Sequence, residues 1–379
     1  MDTSRISRPF VVVGVPLAIL IGALLAIVTH QFGLANSTKT NPSGADFVSR
    51  LSTYHIPDTL DFCGEGMPLG DEYVRRRMEQ AFYIELSDAQ IILDLKRSAV
   101  YFPYIEKKLR EMNLPEDLKY LPVAESALRN LVSYAGAAGI WQFTRSTATR
   151  YGLVVNFYVD ERYDFPKATV AALKYLSDLH SEFGNWTTAV AAYNMGQNGM
   201  LSTVRYQMTN DYYDLHLNDQ TSRFIFRIVA IKQIMSHYRM YGFDLNRREF
   251  YPAPHVKLVQ VGSIYSLATW AREEGTTYQE VKYLNPWLLR RTLPGGRWDI
   301  ELPASCHPVL MASNTSRSNS DSSVTTTYVV KEGDSLIRIA HRYGMTVSDL
   351  TEMNDLPQGR YLMAGQKLLV PLSAANLGR

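Results

Sequence analysis

Residues 10–29, FVVVGVPLAILIGALLAIVT, run for 20 residues without a charged side chain. A helix of about 20 residues, at 1.5 Å per residue, matches a hydrocarbon core of about 30 Å. Arg5 and Arg8 precede the run and the next Lys or Arg is Lys39. That asymmetry keeps the N-terminus cytoplasmic and sends the rest of the chain across. A cleaved signal peptide is the competing reading, with Gly33-Leu34-Ala35 as a small-residue cleavage site. Signal cores run about 7–15 residues, shorter than this one, which favours an uncleaved anchor. Both readings export the remaining chain. No cysteine follows the apolar run closely, which excludes a lipid-modified cysteine there.

The exported part can bury a core. Of 379 residues 46% are apolar and 20% charged, which excludes a wholly disordered or fibrous protein. With 39 basic and 37 acidic residues the net charge is +2, so no phosphate-binding surface is expected and nucleic acid is excluded as a partner. Cys63 and Cys306 cannot make a four-cysteine metal site; a single disulfide and two lone thiols both stay open. His180, His216 and His237 are scattered without metal-ligand spacing, and no glycine-rich phosphate loop is present. No metal or cofactor is therefore expected.

Texture divides the chain into segments. Residues 1–35 are the anchor or signal segment, and 36–69 a polar, turn-rich spacer. From 70 to 250 apolar residues recur at helical spacing, with a core at about 95–235. Pro115-Glu116-Asp117 reads as a helix start, Gly184 as a C-cap and Asn185 as the N-cap of a helix through Tyr193. After 255 an internal repeat appears at an offset of 69: Leu267 with Leu336, Ala271 with Ala340, Gly275 with Gly344, Asn285 with Asn354. Each copy reads as strand, helix, helix, strand, over 255–305 and 328–372. Residues 306–327 between them form a Ser/Thr-rich linker.

One carboxylate is out of place. In a helix continued from Pro115, Leu118, Leu121 and Leu128 share one side, and Glu125 falls among them. A glutamate on an apolar stripe is protonated, paired or facing a cleft, and desolvation raises its pKa toward that of a general acid. A structural pairing with a buried arginine is the plain alternative. Further on come Ser133-Tyr134-Ala135-Gly136-Ala137-Ala138-Gly139-Ile140-Trp141-Gln142 and Ala192-Tyr193-Asn194. The glycines let backbone approach a ligand, Trp141 is a wall or a core anchor, and Gln142 carries a donor and an acceptor on one plane.

Glu125-Ser126, the S-x-x-G-A-x-G-x-W-Q stretch from Ser133 to Gln142, and Ala192-Tyr193-Asn194 together resemble the lytic transglycosylase domain of the soluble-lytic-transglycosylase, goose-lysozyme-like type. The second repeat, Tyr328 to Leu336 with Asn354 and Gly365-Gln366-Lys367-Leu368, resembles a lysin motif (LysM); the first keeps the apolar frame and Asn285-Pro286 but reads Gly262-Ser263-Ile264-Tyr265-Ser266-Leu267 at the G-D-S/T-L turn. The resemblance implies a mainly α, lysozyme-like catalytic domain and βααβ LysM modules; members often carry a lipid-modified cysteine, which the apolar run 10–29, read as an N-terminal transmembrane helix, replaces here. It implies cleavage of the β-1,4 bond between N-acetylmuramic acid and N-acetylglucosamine, with 1,6-anhydro ends. Glu125 would be acid then base; Ser133, Gly139, Trp141, Gln142, Tyr193 and Asn194 would bind substrate; Gly333, Asp334, Ser335, Leu336 and Asn354 would bind glycan in the second module. Peptidoglycan strands and, through the N-terminal helix, the membrane are the implied partners, in the cell envelope. A hydrolytic muramidase on the same fold and a catalytically inactive wall-binding scaffold are the alternatives. Hydrolysis by two carboxyl groups would require Asp160, Glu161 or Asp164 to fold back toward Glu125. The family's late-helix T-x-x-Y stretch is here Thr221-Ser222-Arg223-Phe224.

Overall fold

The structure, a computed structural model, describes residues 51–308, 325–343, 347–354, 356 and 362–371. The apolar run 10–29 lies outside the described residues; among the described residues no helix is long and apolar enough to cross a membrane. The described residues from Tyr54 onward cluster as one unit.

A small hairpin, β1 (Asp61–Phe62) and β2 (Glu65–Gly66), leads into α1 (Glu72–Ser87). Asp71 caps α1, accepting the N–H groups of Tyr73 and Val74 at 2.7 and 3.1 Å. Val74, Met78, Phe82 and Leu86, four apart, are its buried stripe. α2 (Gln90–Glu111) follows, then a 3-10 turn (Glu116–Tyr120), α3 (Leu121–Ser126) and α4 (Arg145–Arg150). α5 (Phe165–Phe183) ends on Gly184 at φ +76°, whose N–H bonds the His180 carbonyl. α6 (Trp186–Met195) is capped by Asn185, which accepts from Thr188 N–H at 2.8 Å. Every residue of α6 from Trp186 to Ala192 is buried, so this helix is the axis of the domain. α7 (Gln197–Gln207) and α8 (Asp219–Ser236) complete the helical body, and α8 packs against α1.

The stretch expected as spacer up to 69 is partly folded into this body. Ile56, Phe62, Met67 and Leu69 are buried. Glu65 accepts the first N–H groups of α6, from Trp186 and Thr187, which puts an anion at the positive end of that helix. Lys232 of α8 bonds Asp61 and Asp117, and Cys63 N–H donates to Asp117 at 2.7 Å. Polar composition made this segment look solvated, whereas Asp61, Cys63 N–H and Glu65 are bonded to α8, the 3-10 turn and the start of α6. Cys63 and Cys306 are both free thiols.

Each C-terminal module is a two-stranded antiparallel sheet with two short helices. In the first, β3 (Val256–Val261) pairs with β4 (Trp298–Pro303) around α9 (Leu267–Glu273) and α10 (Tyr278–Leu284). In the second, β5 (Thr325–Val329) pairs with β6 (Lys367–Pro371) around α11 (Leu336–Arg342) and α12 (Val347–Met353). The repeat is physical as well as textual. Asn285 bonds the Val281 and Glu301 carbonyls and the Glu301 N–H; Asn354 does the same with Leu350 and Leu369. Ser266 and Ser335 cap α9 and α11 alike.

Candidate active site

Glu125 is the fifth residue of the six-residue α3. The helix that periodicity extends to Leu128 does not exist. Ala127 and Leu128 both take left-handed backbone, at φ +53° and +55°, and end it. Leu118, Leu121 and Leu128 are buried as expected, but Leu128 arrives there around a turn. Two adjacent non-glycine residues in this conformation store strain of about 1–3 kcal/mol each, a cost found at functional sites. Gln142, at φ +49°, is a third such residue in the same constellation.

The Glu125 carboxyl is neither exposed nor sealed, and burial raises its pKa from the ordinary carboxylate value to about 7. Two groups act the other way: the Arg227 guanidinium and a hydrogen bond from Asn194. Arg227 is not the acid's salt-bridge partner. It donates to the Ala124 carbonyl at 2.9 Å and to Glu85 at 2.9 Å. Arg97 bonds the Ala127 carbonyl at 3.3 Å, so both arginines brace the backbone on either side of Glu125.

Asn194 is oriented by a relay from α8. Asn218 donates to the Thr221 hydroxyl at 3.0 Å, and Thr221 donates to the Asn194 amide oxygen at 3.0 Å. With its oxygen held, the Asn194 NH₂ turns to Glu125. Thr221 is a site residue that the sequence does not announce, in a stretch where Phe224 is the conspicuous departure; Phe224 itself is buried in the core. Thr221→Val keeps the shape and removes the hydroxyl. Turnover should fall roughly fivefold, as for losing a hydrogen bond of about 1 kcal/mol, and the basic limb of the pH–rate profile should move upward as Asn194 lets go of the carboxylate form.

The 133–143 loop is tied to the helices that carry Glu125 and Asn194. Ser126 stitches α3 to it, donating to the Ile140 carbonyl at 2.8 Å, and Tyr193 stitches α6 to it, donating to the Trp141 carbonyl at 2.7 Å. Burial and the adjacent Glu125 push the Tyr193 phenol well above its usual pKa, so it stays a neutral donor. Gln142 donates its NH₂ to the Leu131 and Gly139 carbonyls at 3.1 and 2.7 Å, leaving its amide oxygen as the group for a ligand. Ser133 closes the turn, its hydroxyl accepting from Ala137 N–H at 3.0 Å.

Two expectations for this loop change. The Trp141 side chain is fully buried and donates to Thr169 at 3.0 Å. It is a core anchor and has no face toward a substrate. Gly139 is glycine because its Cα lies against backbone: an added Cβ would overlap the Arg162 carbonyl oxygen. Gly136 meets nothing within 4 Å and needs only its φ of +79°.

The carboxylates considered as second partners for Glu125 are engaged elsewhere. Asp160 pairs with Arg162 at 2.6 Å, Glu161 with Lys167 at 2.5 Å, and Asp164 caps α5 through Lys167 N–H at 3.0 Å. None folds back, because each has nearer donors. In the second module Asp334 accepts from Tyr328 O–H at 2.6 Å and from Lys331 N–H at 2.8 Å, Ser335 caps α11, and Leu336 packs on the core. Gly333, at φ +80°, forms the turn. Asn354 has its amide bonded within the module, so it clips the frame together instead of reaching outward.

Residues 102–215 match the transglycosylase SLT domain, 258–305 the soluble lytic transglycosylase C-terminal LysM-like domain, and 328–371 the LysM domain. The described residues therefore carry an SLT transglycosylase domain followed by two LysM-type modules. In particular it is similar to membrane-bound lytic murein transglycosylase D of Escherichia coli strain K12, at 28% identity over 83% of this chain and 72% of that protein. A putative tributyltin chloride resistance protein of Alteromonas sp. strain M-1 is 33% identical over 28% of this chain and 53% of its own length. The N-acetylmuramoyl-L-alanine amidase sle1 of Staphylococcus epidermidis strain RP62A is 35% identical over 28% of this chain and 31% of its own.

Proposed function

We propose that the protein is a peptidoglycan lytic transglycosylase in which Glu125 acts alone, first as acid and then as base. The observation that carries this is a carboxyl with a pKa near 7, hydrogen-bonded by Asn194 and braced through Ala124 and Ala127, whose charged neighbour is a cation. Protonated Glu125 gives its hydrogen to the oxygen between N-acetylmuramic acid and N-acetylglucosamine. The muramic acetamido group steadies the oxocarbenium-like carbon. Glu125, now a carboxylate, takes the proton from the C6 hydroxyl of the same sugar, and that oxygen closes on C1. Ring closure within one sugar has a high effective molarity and uses no water. The Gln142 amide oxygen and the Asn194 amide hold sugar groups, while Tyr193 fixes the loop that carries Gln142.

Because step one requires the acid form, kcat/KM should fall as pH rises through about 7, and pH–rate measurements on a soluble glycan check this. Mass spectrometry of the products decides the reaction type: 1,6-anhydro ends support it, and reducing ends would replace it with hydrolysis. The G-D-S-L turn of the second module, Gly333 to Leu336, is the glycan-binding surface in this reading. The apolar run 10–29 anchors the chain in the cytoplasmic membrane, with the enzyme on the outer or periplasmic side. Anchor and module together raise the local concentration of strands, so modest module affinity suffices.

A further inference from the structure

Between α4 and α5 the chain leaves the helical body and enters the first C-terminal module. Val159 is completely buried, and the side chains around it, Leu267, Val281, Leu288 and Ile300 among them, belong to that module. The main chain takes part as well: Asp160 N–H donates to the Trp287 carbonyl at 2.9 Å, and Leu289 N–H donates to the Tyr158 carbonyl at 2.8 Å. Val159 and Leu288 stand opposite each other as an antiparallel bridge. The Arg290 guanidinium lies 4.0 Å from the Phe157 ring centre, and the Lys167 ammonium 5.5 Å from that of Trp287.

The same segment grips the active-site loop. Arg162, 8% exposed, takes both oxygens of Asp160 through Nε and Nη2. Its Nη1 donates to the Gly136 carbonyl at 2.8 Å and the Phe143 carbonyl at 3.1 Å, the two ends of the loop that carries Gln142. A buried ion pair persists only when its remaining donors are satisfied, and here the loop satisfies them. The geometry points to the first module as a fixed buttress of the catalytic loop, with Asp160 and Arg162 as positioning residues that carry its hold to Gly136 and Phe143. Tyr265 standing where the second module has Asp334 fits a module kept for packing.

The buttress rests on the catalytic role proposed for Glu125, so its test has two readouts in the full-length protein. Leu289→Pro removes the N–H given to Tyr158 and touches no side chain of the relay. Arg162→Lys keeps the charge but cannot span a carboxylate and two carbonyls, and it serves if the first variant does not fold. Amide exchange of residues 136–143 without substrate should rise about tenfold or more. On a tetrasaccharide of alternating N-acetylglucosamine and N-acetylmuramic acid, too short to engage a second module, kcat should fall about tenfold with KM changed less than about twofold. Unchanged exchange in the folded variants overturns the buttress, and so does raised exchange with unaltered kcat. Wild type that leaves the tetrasaccharide intact refutes the catalytic reading, and exchange then decides the buttress alone.

Discussion

Glu125→Gln should lower turnover by about 10²–10⁴-fold, the usual contribution of one positioned general acid, while binding to purified sacculi is retained. The amide matches the carboxyl in shape and still accepts from Asn194, so the cleft keeps its form and loses only the transferable hydrogen. The same substitution should make the fold more stable at pH 8. A carboxyl whose folded pKa, about 7, lies above its unfolded value binds its proton more tightly when folded. Its contribution costs nothing below about pH 4.5, and stability is lost as pH rises toward 7, by up to about 3 kcal/mol beyond that. The variant carries no such charge. Its melting temperature should therefore exceed that of wild type at pH 8 and match it at pH 4. Activity assays and thermal melts on one preparation test both halves. A variant that digests sacculi at the native rate would remove Glu125 from the acid's role, whatever its stability.

What the sequence made legible was chemistry carried by residue type on a regular element. Glu125 among leucines, the caps Gly184 and Asn185, and the two βααβ repeats with their paired asparagines all arise from local rules. What it hid depends on contacts between distant segments. The break at Ala127 has no glycine or proline to announce it; Arg97 and Arg227, from α2 and α8, hold the carbonyls around it. Thr221 looks like a helix N-terminal threonine until Asn194 comes within reach. Trp141 is ambiguous on any one-dimensional reading, because a wall and an anchor have the same side chain and differ only in which face Thr169 occupies. Residues 61–66 look like linker since Asp61, Cys63 N–H and Glu65 each find a partner more than 50 positions away, in Lys232, Asp117 and the start of α6.

The two loop glycines separate the ligand-approach reading from the packing one. Gly139→Ala places a Cβ on the Arg162 carbonyl oxygen and 2.8 Å from its carbon, at φ +82°. Neither atom belongs to a flexible side chain, and the Arg162 backbone cannot retreat, since its guanidinium is tied to Asp160, Gly136 and Phe143. The left-handed backbone alone costs an L-residue about 1–2 kcal/mol, and forced overpacking adds about 1–3 kcal/mol. A loss of about 2–5 kcal/mol is expected, read as a lower denaturation midpoint, with turnover falling because Ser126 and Tyr193 bond carbonyls one and two residues away. Gly136→Ala meets open space and carries only the backbone cost, about 1–2 kcal/mol, with its carbonyl still facing Arg162. If the glycines served mainly to admit a ligand, both variants would carry only the same backbone cost, about 1–2 kcal/mol, and lose substrate affinity as well. Equal midpoints for the two variants would count against the packing role assigned to Gly139.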